Sequence, residues 1–431
     1  MALFFDRPES GEKAILVHIK LNSESEPEDS REFEELVIAA GGDPVDFITG
    51  SRLSPSAKYF IGSGKLDEIK TAVRTSAAEL VIFNHNLSPS QERNLEAELR
   101  CRVLDRTGLI LDIFAQRART HEGKLQVELA QLQHLSSRLV RGWTHLERQK
   151  GGIGMHGPGE TQLESDRRMV RDRIKSIESR LEKVRKQRDQ GRRGRKRSEI
   201  ATVALVGYTN AGKSTLFNAI TQADVFVANQ LFATLDPTMR RLELNDVGSV
   251  IFADTVGFIS HLPHRLVNAF RATLEEASTA DLLLHVVDAS ADDRATNIRR
   301  VDEVLEEIEA HQLPSLMVYN KVDLLDDSHP RVERNSNGEA IAVWVSALSG
   351  EGLDLLLKTI VERLPTKMLH QYLRLQPDQG AVRAALYRSK AVVAETVDDS
   401  GAIDMEIRLP ASDFFRILKN ASLKLEDLTT M

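Results

Sequence analysis

The sequence lacks the features of disulfide-rich, cysteine-metal and membrane-spanning proteins. Among its 431 residues there is one cysteine, Cys101, which excludes an intramolecular disulfide and a zinc cluster built on cysteines. It has no run of about 18 apolar residues, and its N-terminus, Met1–Asp6, has neither the basic nor the apolar region of a signal peptide. We therefore expect a cytoplasmic protein with no membrane span.

The composition is otherwise that of an ordinary globular protein. Hydrophobic residues make up 41% of the chain and charged residues 28%, which favours buried cores over disorder. A chain of this length is too long for one core, and about three domains are expected.

The charge is unevenly distributed along the chain. The formal net charge is −7, yet residues 167–197 contain fifteen lysines and arginines against four acidic residues. A concentrated basic segment in an acidic protein indicates a local contact with a polyanion such as RNA. Composition alone leaves open the alternative that this segment is a solvated helix face followed by a linker.

Hydrophobic periodicity divides the chain into successive parts. Residues 1–118 alternate strand-like and helix-like stretches, which predicts a small, mostly parallel α/β domain. Leucines at helical spacing on either side of the glycine-rich stretch 151–159 predict a two-helix hairpin at 119–191. The remainder is assigned to a basic linker at 192–198, a second α/β domain at 199–366 and a small α+β C-terminal domain at 367–431.

A phosphate-binding loop is predicted at the start of the second α/β domain. Gly207–Ser214 matches G-x₄-G-K-[ST], and it follows the apolar strand Val203–Val206 and precedes a helical stretch. In such loops the backbone N–H groups cradle the phosphates. Lys213 would reach the β- and γ-phosphates and Ser214 would bind Mg²⁺. The predicted loop comprises Gly207, Tyr208, Thr209, Asn210, Ala211, Gly212, Lys213, Ser214 and Thr215.

Three further motifs follow in the order that a guanine nucleotide site requires. In Asp254-Thr255-Val256-Gly257, Asp254 would hold Mg²⁺ through water and the Gly257 N–H would sense the γ-phosphate. In Asn320-Lys321-Val322-Asp323, the Asp323 carboxylate would accept from guanine N1–H and the N2 amine, donors that adenine lacks. Ser346-Ala347-Leu348 would supply a backbone N–H to guanine O6. Their order along one α/β domain predicts binding of GTP and GDP.

Hydrolysis requires groups that these motifs do not supply. A switch threonine is needed before Asp254, and the residues alone leave Thr234 and Thr238 open. Phe258 follows Gly257 where many GTPases carry a glutamine that orients the attacking water. We therefore expect slow intrinsic hydrolysis, completed by a partner, a moved loop or an ion. The Asn210 amide could help hold K⁺, with a loop-stabilising role as the alternative.

Four further stretches carry a family resemblance. They are Lys58–Leu66, Asp105–Thr120, Gln126–Leu132 and Gly151–Glu164. With the nucleotide motifs, they make residues 1–365 resemble the HflX GTPases, within the class that includes the Obg-like and Era-like proteins.

The resemblance implies more than the motifs do. It implies a GTPase that binds the 50S ribosomal subunit through 23S rRNA, splits stalled or idle ribosomes, in some cases under heat stress, and is stimulated by the ribosome. It assigns the switch threonine to Thr234, within the nucleotide-binding stretch Phe232-Ala233-Thr234-Leu235-Asp236, and the Mg²⁺ ligands to Ser214 and Thr234. A hydrophobic residue at Phe258 is usual in this class. We expect a monomer.

The RNA-contacting residues are predicted from the basic arm and the glycine-rich loop. The resemblance places that loop near the peptidyl transferase centre, while the basic arm would contact RNA phosphates. The predicted contacts are Gly152, Gly154, His156, Gly157, Gly159, Arg167, Arg168, Arg171, Arg193, Arg195, Lys196 and Arg197.

Two alternative functions stay open. One is a GTPase that acts in ribosome assembly or RNA modification. The other is a sensor whose N-terminal domain binds a small nucleotide at Ile61–Leu66, although that stretch lacks the full phosphate-loop spacing.

Overall fold

The fold falls into two compact units. The structure is a computed structural model that describes residues 11–21, 30–138, 162–197, 200–222, 231–232, 234–244, 247–259, 271–326, 329–364, 368–398, 400–410, 413–414, 417–418, 421, 423 and 428. The described parts of 1–186, 227–236 and 259–272 form the first unit, and those of 187–226, 237–258 and 273–431 form the second.

The N-terminal part of the first unit is a parallel α/β fold, as predicted. Its elements are β1 (Lys13–Leu21), α1 (Ser30–Ala39), β2 (Asp43–Arg52), α2 (Ser63–Ser76), β3 (Leu80–Phe83), α3 (Pro89–Leu99), β4 (Arg102–Asp105) and α4 (Arg106–Arg117). The strands pair in the order β2-β1-β3-β4, and all pairs are parallel. The strand-like and helix-like stretches that predict this domain lie within residues 14–99 and do not include β4 or α4. A four-residue strand that runs directly into a helix has no separate periodicity.

The predicted hairpin forms from two helices, the second of which has its residues 162–186 in the first unit. They are α5 (His121–Arg138) and α6 (Gln162–Arg197). Leu125 and Leu132 of α5 pack in one apolar cluster with Val170 and Ile177 of α6, which are residues of the two predicted leucine-rich stripes. The loop 151–159, with Gly152, Gly154, His156, Gly157 and Gly159, lies outside the described residues.

The segment 192–198 differs from the linker that was expected. Helix α6 continues through it as far as Arg197, despite Gly191 and Gly194. Each glycine costs about 1 kcal/mol relative to alanine inside a helix. Extending an existing helix through arginine and lysine, both good helix formers, offsets that cost, because the costly nucleation step is already complete.

A seven-stranded sheet forms the centre of the second unit. The chain contributes β5 (Ala201–Val206), α7 (Lys213–Thr221), β6 (Thr238–Leu244), β7 (Gly248–Asp254), α8 (Arg271–Ser278), β8 (Leu282–Asp288), α9 (Arg294–Glu307), β9 (Ser315–Asn320), β10 (Arg331–Arg334), β11 (Ala340–Trp344) and α10 (Leu353–Arg363). The strand order is β10-β11-β9-β8-β5-β7-β6, with antiparallel pairing at the two edges. The predicted motifs follow the carboxyl ends of the parallel strands, the edge where α/β sheets bind ligands.

The C-terminal part of the second unit is a small α+β fold, as predicted. It contains β12 (Met368–Leu375), α11 (Gly380–Arg388), β13 (Val392–Val397) and β14 (Ile403–Pro410), and the antiparallel sheet has the order β12-β14-β13. Strand-like runs at 391–396 and 402–408 of the sequence predict β13 and β14, but no such run predicts β12 or α11. In β12 the half-buried Gln371 lies between Leu369 and Leu373, which pack in the core, and so it interrupts the apolar alternation. None of the described helices is long and apolar enough to cross a bilayer.

The hairpin core gives a stability prediction. Ile177 is fully buried between α5 and α6, so Ile177→Ala should lower the free energy of opening these helices by about 2–5 kcal/mol. Hydrogen exchange of the α5 and α6 amides measures this free energy. Ser179→Ala, at an exposed position of the same helix, serves as the control and should leave exchange nearly unchanged. Equal protection in both variants would contradict the packing of α5 on α6.

Candidate functional site

The predicted phosphate loop connects β5 to α7, and two of its glycines are required by close contacts. Every residue of β5 is buried, and Gly207 follows it with φ +150°. A Cβ on Gly207 would collide with the Val286 carbonyl oxygen, and one on Gly212 (φ +89°) with the Asn320 side-chain amide. The loop therefore lies directly on β8 and β9, and its backbone leaves no room for side chains at these positions.

Lys213 is the first residue of α7, and its ammonium group is already held by the loop. Nζ donates to the carbonyl oxygens of Gly207 at 3.0 Å and Tyr208 at 2.7 Å. Burial lowers the pKa of Lys213 from 10.5 to about 8, although the negative charge of Asp254 opposes the shift. His285 below it stays neutral, because burial and then the Lys213 charge lower its pKa to about 4. Phosphate groups would add further negative charge beside Lys213 and so favour its protonated form.

Ser214 and Asp254 meet as the Mg²⁺ prediction requires. The Ser214 hydroxyl donates to Asp254 Oδ2 at 2.7 Å, and Asp254 is fully buried at the end of β7. The neighbouring Thr255 is fixed by a 2.6 Å hydrogen bond from its hydroxyl to the Leu205 carbonyl. A hydroxyl and a carboxylate are oxygen ligands of the kind that Mg²⁺ prefers. These two residues therefore offer the kind of oxygen donors that a Mg²⁺ ion would need.

Phe258 occupies the position after Gly257, and both its backbone and its side chain are held in the core. Its N–H donates to the Gly207 carbonyl at 3.1 Å, and its carbonyl accepts from the Thr209 N–H at 2.7 Å. The ring is 1% exposed. Gly257 lies so close to the loop that an added Cβ would be 2.8 Å from Thr209 Cγ2 and 3.1 Å from Lys213 Nζ. In this arrangement Gly257 is next to the phosphate position, while the Phe258 side chain belongs to the core.

Asn320 links three of the predicted motifs through its side-chain amide. Nδ2 donates to the Ala211 carbonyl of the phosphate loop at 2.9 Å, and Oδ1 accepts from the Ala347 N–H at 2.9 Å. The residue is 2% exposed. The sequence analysis placed Asn320 at the site but did not predict this bridge. It also proposed a backbone N–H of 346–348 for guanine O6, and here the Ala347 N–H is bonded to Asn320.

The residues expected around the base are only partly buried. Asp323 lies in a short 3₁₀ turn with Val322 and is exposed, as is Leu348 at 81%. Selection against adenine is stronger when the carboxylate is shielded from water, and here that shielding would have to come from the bound base. Lys321 Nζ pairs with Asp288 Oδ2 at 2.6 Å. The sequence analysis missed Asp288, although its place at the end of β8, between the strands that end in Asp254 and Asn320, was a usable signal.

The predicted switch residues Phe232, Thr234, Leu235 and Asp236 belong to the first unit. Phe232 and Leu235 are buried there, and Asp236 accepts hydrogen bonds from Arg119 and Thr120. Ala233 lies outside the described residues. The alternative threonine, Thr238, begins β6 in the second unit.

The basic residues expected to contact RNA lie on α6. Arg168 and Arg171 are exposed and Arg167 is half-buried. Arg193, Arg195, Lys196 and Arg197 belong to the last turns of the helix, and their side chains lie outside the described part of the chain.

The sheet order, the phosphate loop on β5–α7 and the Asn320 bridge together define a P-loop guanine nucleotide-binding domain. Four family models match the chain: "GTP-binding GTPase N-terminal" at 27–115, "GTP-binding GTPase Middle Region" at 117–195, "50S ribosome-binding GTPase" at 202–321 and "HflX C-terminal domain" at 331–420. The chain belongs to the HflX family of GTPases and hydrolyses GTP.

Relatives named GTPase HflX match this chain over most of their length. The GTPase HflX of Escherichia coli K12 is 56% identical over 415 residues, which cover 96% of this chain and 97% of that protein. That of Caldanaerobacter subterraneus is 48% identical over 353 residues, covering 82% and 81%. A GTP-binding protein of Sulfolobus solfataricus, solved with GDP, is 24% identical with a TM-score of 0.44, covering 81% and 98%.

The lowered pKa of Lys213 predicts a pH dependence of nucleotide affinity. Phosphate binds the protonated lysine, so GDP affinity should fall as pH rises through about 8, by at most about tenfold per pH unit. Calorimetry in buffers of different ionisation enthalpy should show that a proton is taken up on binding. Lys213→Arg, whose guanidinium stays charged, is the control for titration of the nucleotide itself. If the GDP affinity of the wild type were as independent of pH as that of the arginine variant, Lys213 would be charged over the whole pH range measured.

Proposed function

We propose that this GTPase binds the 50S ribosomal subunit and dissociates stalled or idle 70S ribosomes, and that the ribosome stimulates its GTP hydrolysis. The observation that carries the proposal is the burial of Phe258. Because its backbone is bonded to Gly207 and Thr209 and its ring is buried, hydrolysis needs a group from outside the nucleotide motifs. A large partner that contacts the GTPase can supply or position such a group.

The charge of α6 supports RNA as the surface of that partner. Arg168, Arg171, Lys175, Lys183 and Arg185 are all exposed along the helix. Arg173 is also exposed and pairs with Glu128 of α5 at 2.6 Å, so part of the positive charge is compensated within the hairpin. Exposed lysines and arginines that neutralise phosphates release counterions, and binding of this kind is strongly salt-dependent. The family model that matches residues 202–321 is described as a 50S ribosome-binding GTPase.

The residues of the site indicate which ions it would bind. In the proposed GTP-bound state Ser214 and Thr234 would hold Mg²⁺ directly and Asp254 would hold it through water. The bound ion would supply positive charge beside the phosphates. Asn210, exposed in the left-handed region at φ +62°, is the proposed contact of an activating K⁺. The protein is proposed to be a cytoplasmic monomer that associates with ribosomes.

Ribosome-stimulated hydrolysis tests the proposal. GTP turnover measured with purified 50S subunits should exceed turnover without them by about a hundredfold or more. The stimulation should fall steeply between about 50 and 200 mM salt, because RNA phosphate contacts weaken. Light scattering of 70S particles should report dissociation with GTP.

The controls separate the parts of this proposal. Lys213→Ala should lose nucleotide binding and stimulation together, and ATP should support neither activity. Unstimulated turnover with intact 70S particles would contradict the ribosomal role. Stimulation by immature particles without dissociation of 70S ribosomes would instead favour a role in ribosome assembly or RNA modification.

A further inference from the structure

The carboxylate of Asp236 is bound at the start of helix α5. Oδ2 accepts from the backbone N–H groups of Arg119 at 2.8 Å and Thr120 at 2.9 Å, and Oδ1 accepts from the Thr120 hydroxyl at 2.5 Å. The Thr120 hydroxyl in turn accepts from the Gly123 N–H at 2.9 Å and so caps α5. A carboxylate is favoured at this end of a helix by the helix dipole.

Apolar contacts hold the same segment a few residues earlier. Leu231, Phe232 and Leu235 are 2–3% exposed. The ring of Phe232 packs edge-on against Phe114 of α4, with 4.6 Å between the ring centroids. Helices α4 and α5 are consecutive, ending at Arg117 and beginning at His121. The described residues of the segment 231–236 therefore contact both α4 and the start of α5.

The absence of a side chain at Gly123 makes room for this contact. A Cβ at Gly123 would collide with the Asp236 carboxylate. Alanine is the better helix former, so the helix alone would favour alanine in its first turn. Glycine there gives the carboxylate space to reach the Arg119 and Thr120 donors.

We propose that Asp236 is a positioning residue for GTP. By binding the start of α5, it anchors the segment that contains Thr234, two residues before it. The inference rests on the proposed role of Thr234 as a Mg²⁺ ligand of the GTP-bound state. A segment that is already anchored loses less entropy when GTP orders it, so the contact strengthens GTP binding. GDP lacks the γ-phosphate that holds such switch segments, so its binding gains little.

The coupling also acts in the opposite direction. If the Asp236 contact strengthens GTP binding, then GTP strengthens the contact by the same factor, as thermodynamic linkage requires. Helix α5 is the first arm of the hairpin. The start of that arm is therefore more firmly held in the GTP-bound protein than in the GDP-bound protein.

The test is a double-mutant cycle read out on two nucleotides. Asp236→Asn weakens the acceptor, and Thr120→Val removes the donating hydroxyl. Each should weaken binding of a non-hydrolysable GTP analogue about three- to tenfold, the usual strength of a helix-cap contact. For Thr120→Val, which lies outside the predicted nucleotide-binding residues, GDP affinity should stay within about twofold, which also reports an intact fold. The double variant should bind the analogue as well as the more affected of the two single variants does, because both changes break one contact.

Three further variants sharpen the test. Gly123→Ala should reproduce the loss of GTP selectivity by displacing Asp236, without removing a polar group. Thr120→Ser keeps the hydroxyl and should bind like the wild type. If Thr234→Ala weakens analogue binding but Asp236→Asn does not, the anchoring inference is wrong and the role of Thr234 stands. If Thr234→Ala has no effect, the proposed role of Thr234 fails. Additive losses, or equal losses for both nucleotides, would overturn the coupling.

Discussion

The nucleotide site depends on the side-chain amide of Asn320. Its Nδ2 bonds to Ala211 of the phosphate loop and its Oδ1 to the Ala347 N–H, each at 2.9 Å in a buried position. Without this amide, a carbonyl and an N–H would lose their partner, at a cost of about 1–3 kcal/mol for each group left buried. Because the same residue begins the Asn-Lys-x-Asp motif, the phosphate and base ends of the site are held in one fixed relation.

The contacts around the Asn320 side chain favour nucleotide binding more than GTP hydrolysis. Lys213 is buried and held by loop carbonyls, so a phosphate relieves part of its desolvation. Ser214 and Asp254 are already in contact. Phe258, by contrast, is fixed in the core by its backbone. We propose that a site arranged in this way holds nucleotide and turns over slowly until a partner acts, as expected of a timed switch.

Residues whose chemistry requires a fixed spacing could be predicted from the sequence. The phosphate loop needs its glycines, lysine and serine at set positions, so Gly207–Ser214 was recognisable, and with it the strand and helix on either side. Asp288 has no such spacing, because its partner Lys321 comes from a different strand. The attachment of 231–236 to the first unit could not be predicted either, since Thr120 and Asp236 are far apart in sequence and meet through tertiary packing alone. Helix α6 continued past two glycines because the energies of neighbouring residues decide a helix end, and composition does not show that balance.

Guanine selection by Asp323 is the central claim, since every proposed step requires GTP rather than ATP. The direct measurement is the affinity of the wild type and Asp323→Asn for GTP and for xanthosine triphosphate. In xanthosine triphosphate an oxygen replaces the guanine amine. The side-chain amide of an asparagine can donate a hydrogen bond to that oxygen. The wild type should prefer GTP, and the variant should reverse the preference. A variant that still prefers GTP, or a wild type that binds both equally, would contradict guanine selection by Asp323.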